Sequence, residues 1–96
     1  MYYSNPVKVE LPKFERRHVG GKDVVFYIVC VCSGRRKWQL DKRYNEFSEL
    51  DVELRVKHAN MPSLPPKTYF PLKLDQDIED RRKLLHQYLQ VRIYHD

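Results

Sequence analysis

The chain has 96 residues, 42% hydrophobic and 12% aromatic, and its 18 Lys and Arg against 13 Asp and Glu leave a net charge of +5. That is enough apolar material for the core of one domain spanning 1–96, which excludes a disordered chain, and the positive excess favours an anionic partner: nucleic acid, an anionic membrane surface or acidic protein. No apolar run nears the roughly 20 residues that span a bilayer, and Met1 to Pro6 show neither a secretory signal nor a lipidation motif, so any membrane contact is expected to be peripheral.

Val7 to Arg17 begins extended, and Pro6 and Pro12 argue for an edge or bulged strand. Gly20-Gly21 supplies the positive φ angles of a hairpin turn. Val24 to Cys32 is β-branched, aromatic and apolar on both faces, as a central strand should be. Ser33-Gly34-Arg35 makes a second turn, after which Lys37 to Asp41 alternates with Trp38 and Leu40 on one face. These are three consecutive antiparallel strands, a meander. Cys30 and Cys32, two apart in one strand, point the same way, a poor geometry for a mutual disulfide. Without further ligands they are a weak metal signal, and the expectation is buried structural thiols, with no metal and no cofactor.

The period then changes. From Tyr44 to about His58, Phe47, Leu50 and Leu54 recur at helical spacing, with Glu46, Glu49, Asp51 and Glu53 mostly outward. Asn60-Met61-Pro62 ends that helix, and Pro62-Ser63-Leu64-Pro65-Pro66 reads as a polyproline II crossover. Asp75 and Asp77 open a second helix, acidic where the macrodipole prefers it. Its core stripe would be Ile78, Leu85, Tyr88 or Leu89, and Arg92 or Ile93. The fold class is α+β.

Four features form one candidate site. Arg43-Tyr44 stands where the third strand becomes the first helix. There a guanidinium can grip phosphate oxygens bidentately, and Tyr44 offers a flat face. Lys67 follows Pro65-Pro66, which fix the backbone that aims it. Arg81 lies four residues before Leu85, on the edge of the buried stripe, where it needs an anion or an open pocket. Thr68 to Leu72 is an apolar loop whose Tyr69, Phe70 and Leu72 could enter lipid. Each has a blander reading as a surface cation or as cover for the core.

Trp38-x-Leu40-x-x-Arg43-Tyr44-Asn45-Glu46-Phe47, then Leu64-Pro65-Pro66-Lys67, then Asp80-Arg81 with Leu85 and Tyr88, together resemble the PX (Phox-homology) domain family of the sorting-nexin and Phox type. The resemblance covers nearly the whole chain in the family's order. It implies a membrane-targeting module that binds phosphatidylinositol 3-phosphate, cytoplasmic and peripheral on endosomal membranes. It also implies that Arg43 grips the 3-phosphate and Tyr44 packs against the inositol ring, while Lys67 meets the 1-phosphate and Arg81 the 4- and 5-hydroxyls. Arg82 is the alternate to Arg81 if the helix is rotated, and Arg16 and Arg17 are candidates for the rim. The segment Tyr69 to Leu72 matches the family's membrane-insertion loop. The chain stops at Tyr94-His95-Asp96, where members continue into a further short helix.

The alternative is a protein-interaction module, since Pro62 to Lys67 reads Pro-x-x-Pro-x-Lys, a ligand pattern for Src-homology-3-type domains. Nucleic-acid binding is disfavoured because the aromatics form no evident stacking platform. An enzyme is not expected, since there is no Gly-rich phosphate loop, nucleophile elbow or metal-ligand cluster.

Overall fold

The computed structural model describes residues 7–57, 62–68 and 72–93, with side chains as far as Gln90. In chain order the elements are β1 (Val7–Val19), β2 (Lys22–Ser33), β3 (Arg36–Lys42), α1 (Tyr44–Lys57) and α2 (Asp75–Ile93). The strands form one antiparallel sheet in the order β1-β2-β3, so the apolar β2 is central, as its sequence requires. Gly20 and Gly21 close the first hairpin with φ of 56° and 81°, the mirror-image turn that matches strand twist. Gly34 closes the second at φ 63°, again a backbone state that L side chains rarely adopt.

The register of β1 against β2 slips between Glu10 and Lys13, a bulge around Leu11 and Pro12. Pro12 has no N–H for a ladder, so an edge strand with a bulge is where it fits. A bulge takes the backbone groups beside it out of the ladder, and α2 satisfies them. His86 Nδ1 accepts from the Leu11 N–H at 3.0 Å, Arg82 Nη1 donates to the Leu11 carbonyl at 2.6 Å, and Gln90 donates to the Val9 carbonyl. Residues 82, 86 and 90 recur every four, one row along the helix.

Beside that row runs the core stripe. Ile78, Leu85, Tyr88 and Leu89 are buried with Val9, Leu11, Tyr27, Val29, Val31 and Phe47. Tyr27 and Phe47 meet edge to face with centroids 6.1 Å apart. On the opposite face of the sheet Ile28 is buried between its register partners Lys13 and Asp41. There Arg17 bridges Glu15 and Asp41 and lies 4.6 Å over the Phe26 ring, so Arg17 belongs to the outer face.

Three sequence expectations are corrected. Leu50 repeats at core spacing yet is 38% exposed, because α1 meets the sheet through Phe47 and leaves its next turn over an open groove. Asp51, expected outward, has a side chain only 14% exposed and accepts the Tyr88 hydroxyl at 2.6 Å and Arg55 at 2.8 Å. Cys30 and Cys32 are free thiols but half-buried, since they lie on the outer face of β2, opposite Glu10 and Lys8. His58 and Asn60-Met61, where the first helix was expected to end, lie outside the described residues.

Candidate functional site

The strand-to-helix junction is built by local capping. Arg43 is the residue before α1, and Glu46 accepts a hydrogen bond from its backbone N–H at 3.1 Å while the Glu46 N–H reaches the Arg43 carbonyl. That backbone bond, with Lys42 at 3.2 Å, holds the Glu46 carboxyl below its ordinary value despite partial burial. With its main chain fixed, the Arg43 side chain is left for the open side. Its guanidinium has no hydrogen-bond or ion-pair partner among the described residues.

Tyr44, the first residue of α1, turns inward against the core, and its hydroxyl donates to the Pro65 carbonyl. This bond ties the proline-rich crossover to α1. It also places Pro65 among buried residues, so one of the two prolines of the Pro-x-x-Pro pattern faces the protein interior. From α2, the Arg81 guanidinium stacks 4.2 Å above the Tyr44 ring and lies 3.4 Å from both the Pro66 carbonyl and Thr68 Oγ1. Burial raises the pKa of the Tyr44 and Tyr27 phenols, and the nearby Arg81 opposes it, so both hydroxyls stay protonated at neutral pH.

These elements enclose an open cleft of about 770 Å³, within the range of small-ligand sites. Its floor is apolar, from Val24, Val25, Tyr27, Tyr44, Leu72 and Ile78. Its rim is basic: Arg16, Lys22, Arg43, Lys67, Lys73 and Arg81 line it with, among the described residues, a single carboxylate, Asp23. Of the cations, Arg16 is held by Asp75 at 2.6 Å and by the Lys73 carbonyl. The side chains of Lys22, Lys67 and Lys73, like that of Arg43, have no partner among the described residues.

Arg43, Tyr44, Lys67 and Arg81, from the β3–α1 junction, the first residue of α1, the crossover and α2, therefore meet in one cleft, with Arg16 beside them. Arg82 does not. It turns to the other side of α2, where it donates to both Glu79 oxygens and to the Leu11 carbonyl and draws the Glu79 carboxyl down. Leu72 lines the cleft, while Tyr69 and Phe70 lie outside the described residues. Sequence reading missed Lys22, Asp23 and Tyr27 as cleft residues. The signal available for Asp23 and Tyr27 was the two-residue period of β2, which puts them in one row with Val25, whereas no such signal pointed to Lys22.

Among the described residues no three His, Cys, Asp or Glu side chains are grouped to hold a metal ion, and no helix is long and apolar enough to cross a membrane. Comparison with known proteins gives one consistent picture. The family model described as PX domain matches residues 31–96. Kinesin-like protein KIF16B is 32% identical over 89 residues in Homo sapiens and 27% over 88 in Mus musculus, in each case 90% of this chain. A probable serine/threonine-protein kinase of Dictyostelium discoideum is 33% identical over 64 residues. The chain spans about 7% of the length of the kinesin-like relatives and 3% of the kinase. A crystal structure of a designed CISK-PX domain superimposes with a TM-score of 0.76 at 34% identity, covering 86% of this chain and 80% of that one.

Proposed function

The chain belongs to the PX domain family, phosphoinositide-binding modules that target proteins to membranes, and from that premise we propose that its basic cleft takes the headgroup of phosphatidylinositol 3-phosphate. The observation that carries the reading is the convergence of Arg43, Lys67 and Arg81 around Tyr44 in one cleft with an apolar floor.

Each group has a task its chemistry suits. Arg43, capped in its main chain and with no side-chain partner among the described residues, presents the planar fork for the 3-phosphate. Lys67, directly after Pro66, supplies a point charge for the 1-phosphate. Arg81 faces the 4- and 5-hydroxyls. A ring settling on Tyr44 must move the Arg81 guanidinium aside, towards that hydroxyl edge, because the two now stack. The segment Tyr69 to Leu72 then meets the bilayer beside the bound headgroup, with the module peripheral on the cytoplasmic face of endosomal membranes. The burial of Pro65 weighs against the Pro-x-x-Pro segment as a ligand for Src-homology-3-type domains.

Liposome binding across a panel of phosphoinositides tests the reading. Arg43→Gln should remain folded and lose about 2–3 kcal/mol of affinity for phosphatidylinositol 3-phosphate, roughly 30- to 150-fold, the worth of a charged bidentate contact. Unchanged binding, or equal binding to every anionic lipid, would replace the cleft by a diffuse basic surface. Phe70→Ala should weaken binding to liposomes more than to a soluble short-chain headgroup, and an equal loss on both would argue against insertion.

A further inference from the structure

Among the described residues lining the cleft, Asp23 is the one carboxylate in a ring of cations. Residues 23, 25 and 27 of β2 share a face, and Asp23 lines the cleft with Val25 and Tyr27 and with its chain neighbours Lys22 and Val24 at the hairpin end of the strand. Across the hairpin Asp23 pairs in register with His18, and its Oδ1 lies 3.0 Å from His18 Nδ1. The Gly20-Gly21 turn fixes that register, so the carboxylate is carried on sheet rather than on loop. The facing wall, with Arg43, Lys67 and Arg81, has no carboxylate among its described residues. The cleft is thus polarised, purely cationic on the helix side and of mixed charge on the hairpin side.

We propose that Asp23 sets headgroup selectivity: its carboxylate accepts a hydrogen bond from a ring hydroxyl and repels a phosphate in that place, so the cleft disfavours bisphosphorylated inositol lipids. The inference rests on the reading of the cleft as a phosphoinositide site. With the 1- and 3-phosphates at Lys67 and Arg43, both flanking carbon 2, carbons 4, 5 and 6 form the opposite edge of the ring, which Arg81 meets from the helix side while Asp23 stands on the hairpin side. A hydroxyl there has a proton to donate. A phosphate carries a charge of roughly −2 at neutral pH and meets like charge. Selectivity of this kind works by penalising the competitor rather than by strengthening the preferred ligand. The Asp23 side chain is 80% exposed, so solvent damps the repulsion and the effect is modest.

The test uses liposomes containing phosphatidylinositol 3-phosphate, its 3,4-bisphosphate or its 3,5-bisphosphate counterpart. Wild type is compared with Asp23→Asn, Asp23→Ser and Glu53→Gln, the last removing one exposed negative charge from α1 outside the cleft. Asp23→Asn and Asp23→Ser should raise affinity for a bisphosphate relative to the monophosphate by roughly two- to fivefold, the scale of an exposed charge interaction. Glu53→Gln should leave that ratio where it was. A ratio unchanged or reversed in both Asp23 variants, or moved equally by Glu53→Gln, overturns the inference while wild-type binding to the monophosphate lipid keeps the site reading. Failure of the wild type to bind any of the three lipids overturns both.

Discussion

Two adjacent arginines on α2 show how finely residue position divides role. Arg81 and Arg82 are separated by roughly 100° around the helix, a consequence of 3.6 residues per turn. One guanidinium stacks on Tyr44 in the cleft, and the other, its side chain 15% exposed, joins Glu79 to the Leu11 carbonyl. Removing either costs one positive charge, so their different consequences separate ligand binding from architecture. Arg81→Gln should weaken phosphoinositide binding with little change in unfolding free energy. Arg82→Gln should keep binding and lose about 1–3 kcal/mol of stability, since it leaves a partly buried carbonyl and carboxylate short of a donor. Paired denaturation and liposome measurements on the two variants check this, and a loss of binding in Arg82→Gln as large as in Arg81→Gln would contradict it. Sequence alone placed Arg81 on the edge of the buried stripe, with Arg82 as the alternate if the helix is rotated. Only the contacts of β1 decide which one turns inward.

At the scale of elements, the informative joint is the one between the bulge of β1 and the row 82, 86, 90 of α2. Pro12 announces the irregularity in the sequence, but nothing local says what repays the displaced Leu11 amide and carbonyl. The repayment comes from a helix about 75 residues downstream, through His86 acting as acceptor at Nδ1. Its ring proton is therefore on Nε2. His86→Leu keeps bulk but removes the acceptor, and should cost about 1–3 kcal/mol, the penalty of an unsatisfied buried donor. Amide hydrogen exchange at Leu11 should quicken at the same time. Unaltered exchange and stability would show that the bulge is satisfied by other means. The cleft should be little affected, because His86 and the site residues lie on different sides of α2.

Across the whole molecule, the two helices share the core face of the sheet unequally. α2 lies along β1 and α1 reaches β2 at Phe47, while β3 turns its core-side residues Trp38 and Leu40 to an exposed strip, 45% and 39% exposed. Leu40 lines, with Val29, Phe47, Leu50 and Leu89, a shallow apolar groove rimmed by Lys42, Glu46, Glu49 and Glu53. Trp38 is the single tryptophan of the chain, so it reports on that face cleanly. Its fluorescence should show the red-shifted emission of a wet indole and be quenched readily by acrylamide. A blue-shifted, protected emission would mean that the face is covered in solution.

The chain's own sequence determined the local elements and their kinds. Two-residue alternation, the paired glycines and the change to helical spacing after Tyr44 each act over a few residues, and the observed bounds follow them closely. The same local logic reached Arg43, Tyr44, Lys67 and Arg81 as candidates, because a strand-to-helix junction, a rigid Pro-Pro step and the edge of a core stripe are readable from spacing. What tertiary structure alone decided was pairing across long separations. It set which arginine of α2 faces the cleft, which acidic residue of α1 is drawn in by Tyr88, and that the hairpin brings Lys22 and Asp23 to the far wall. It also left Leu50 outside, although its spacing matched the core. Helical or strand period fixes the direction of a side chain relative to its own element. What that side chain meets depends on how elements dock, and docking is set by packing and hydrogen bonding summed over the whole fold.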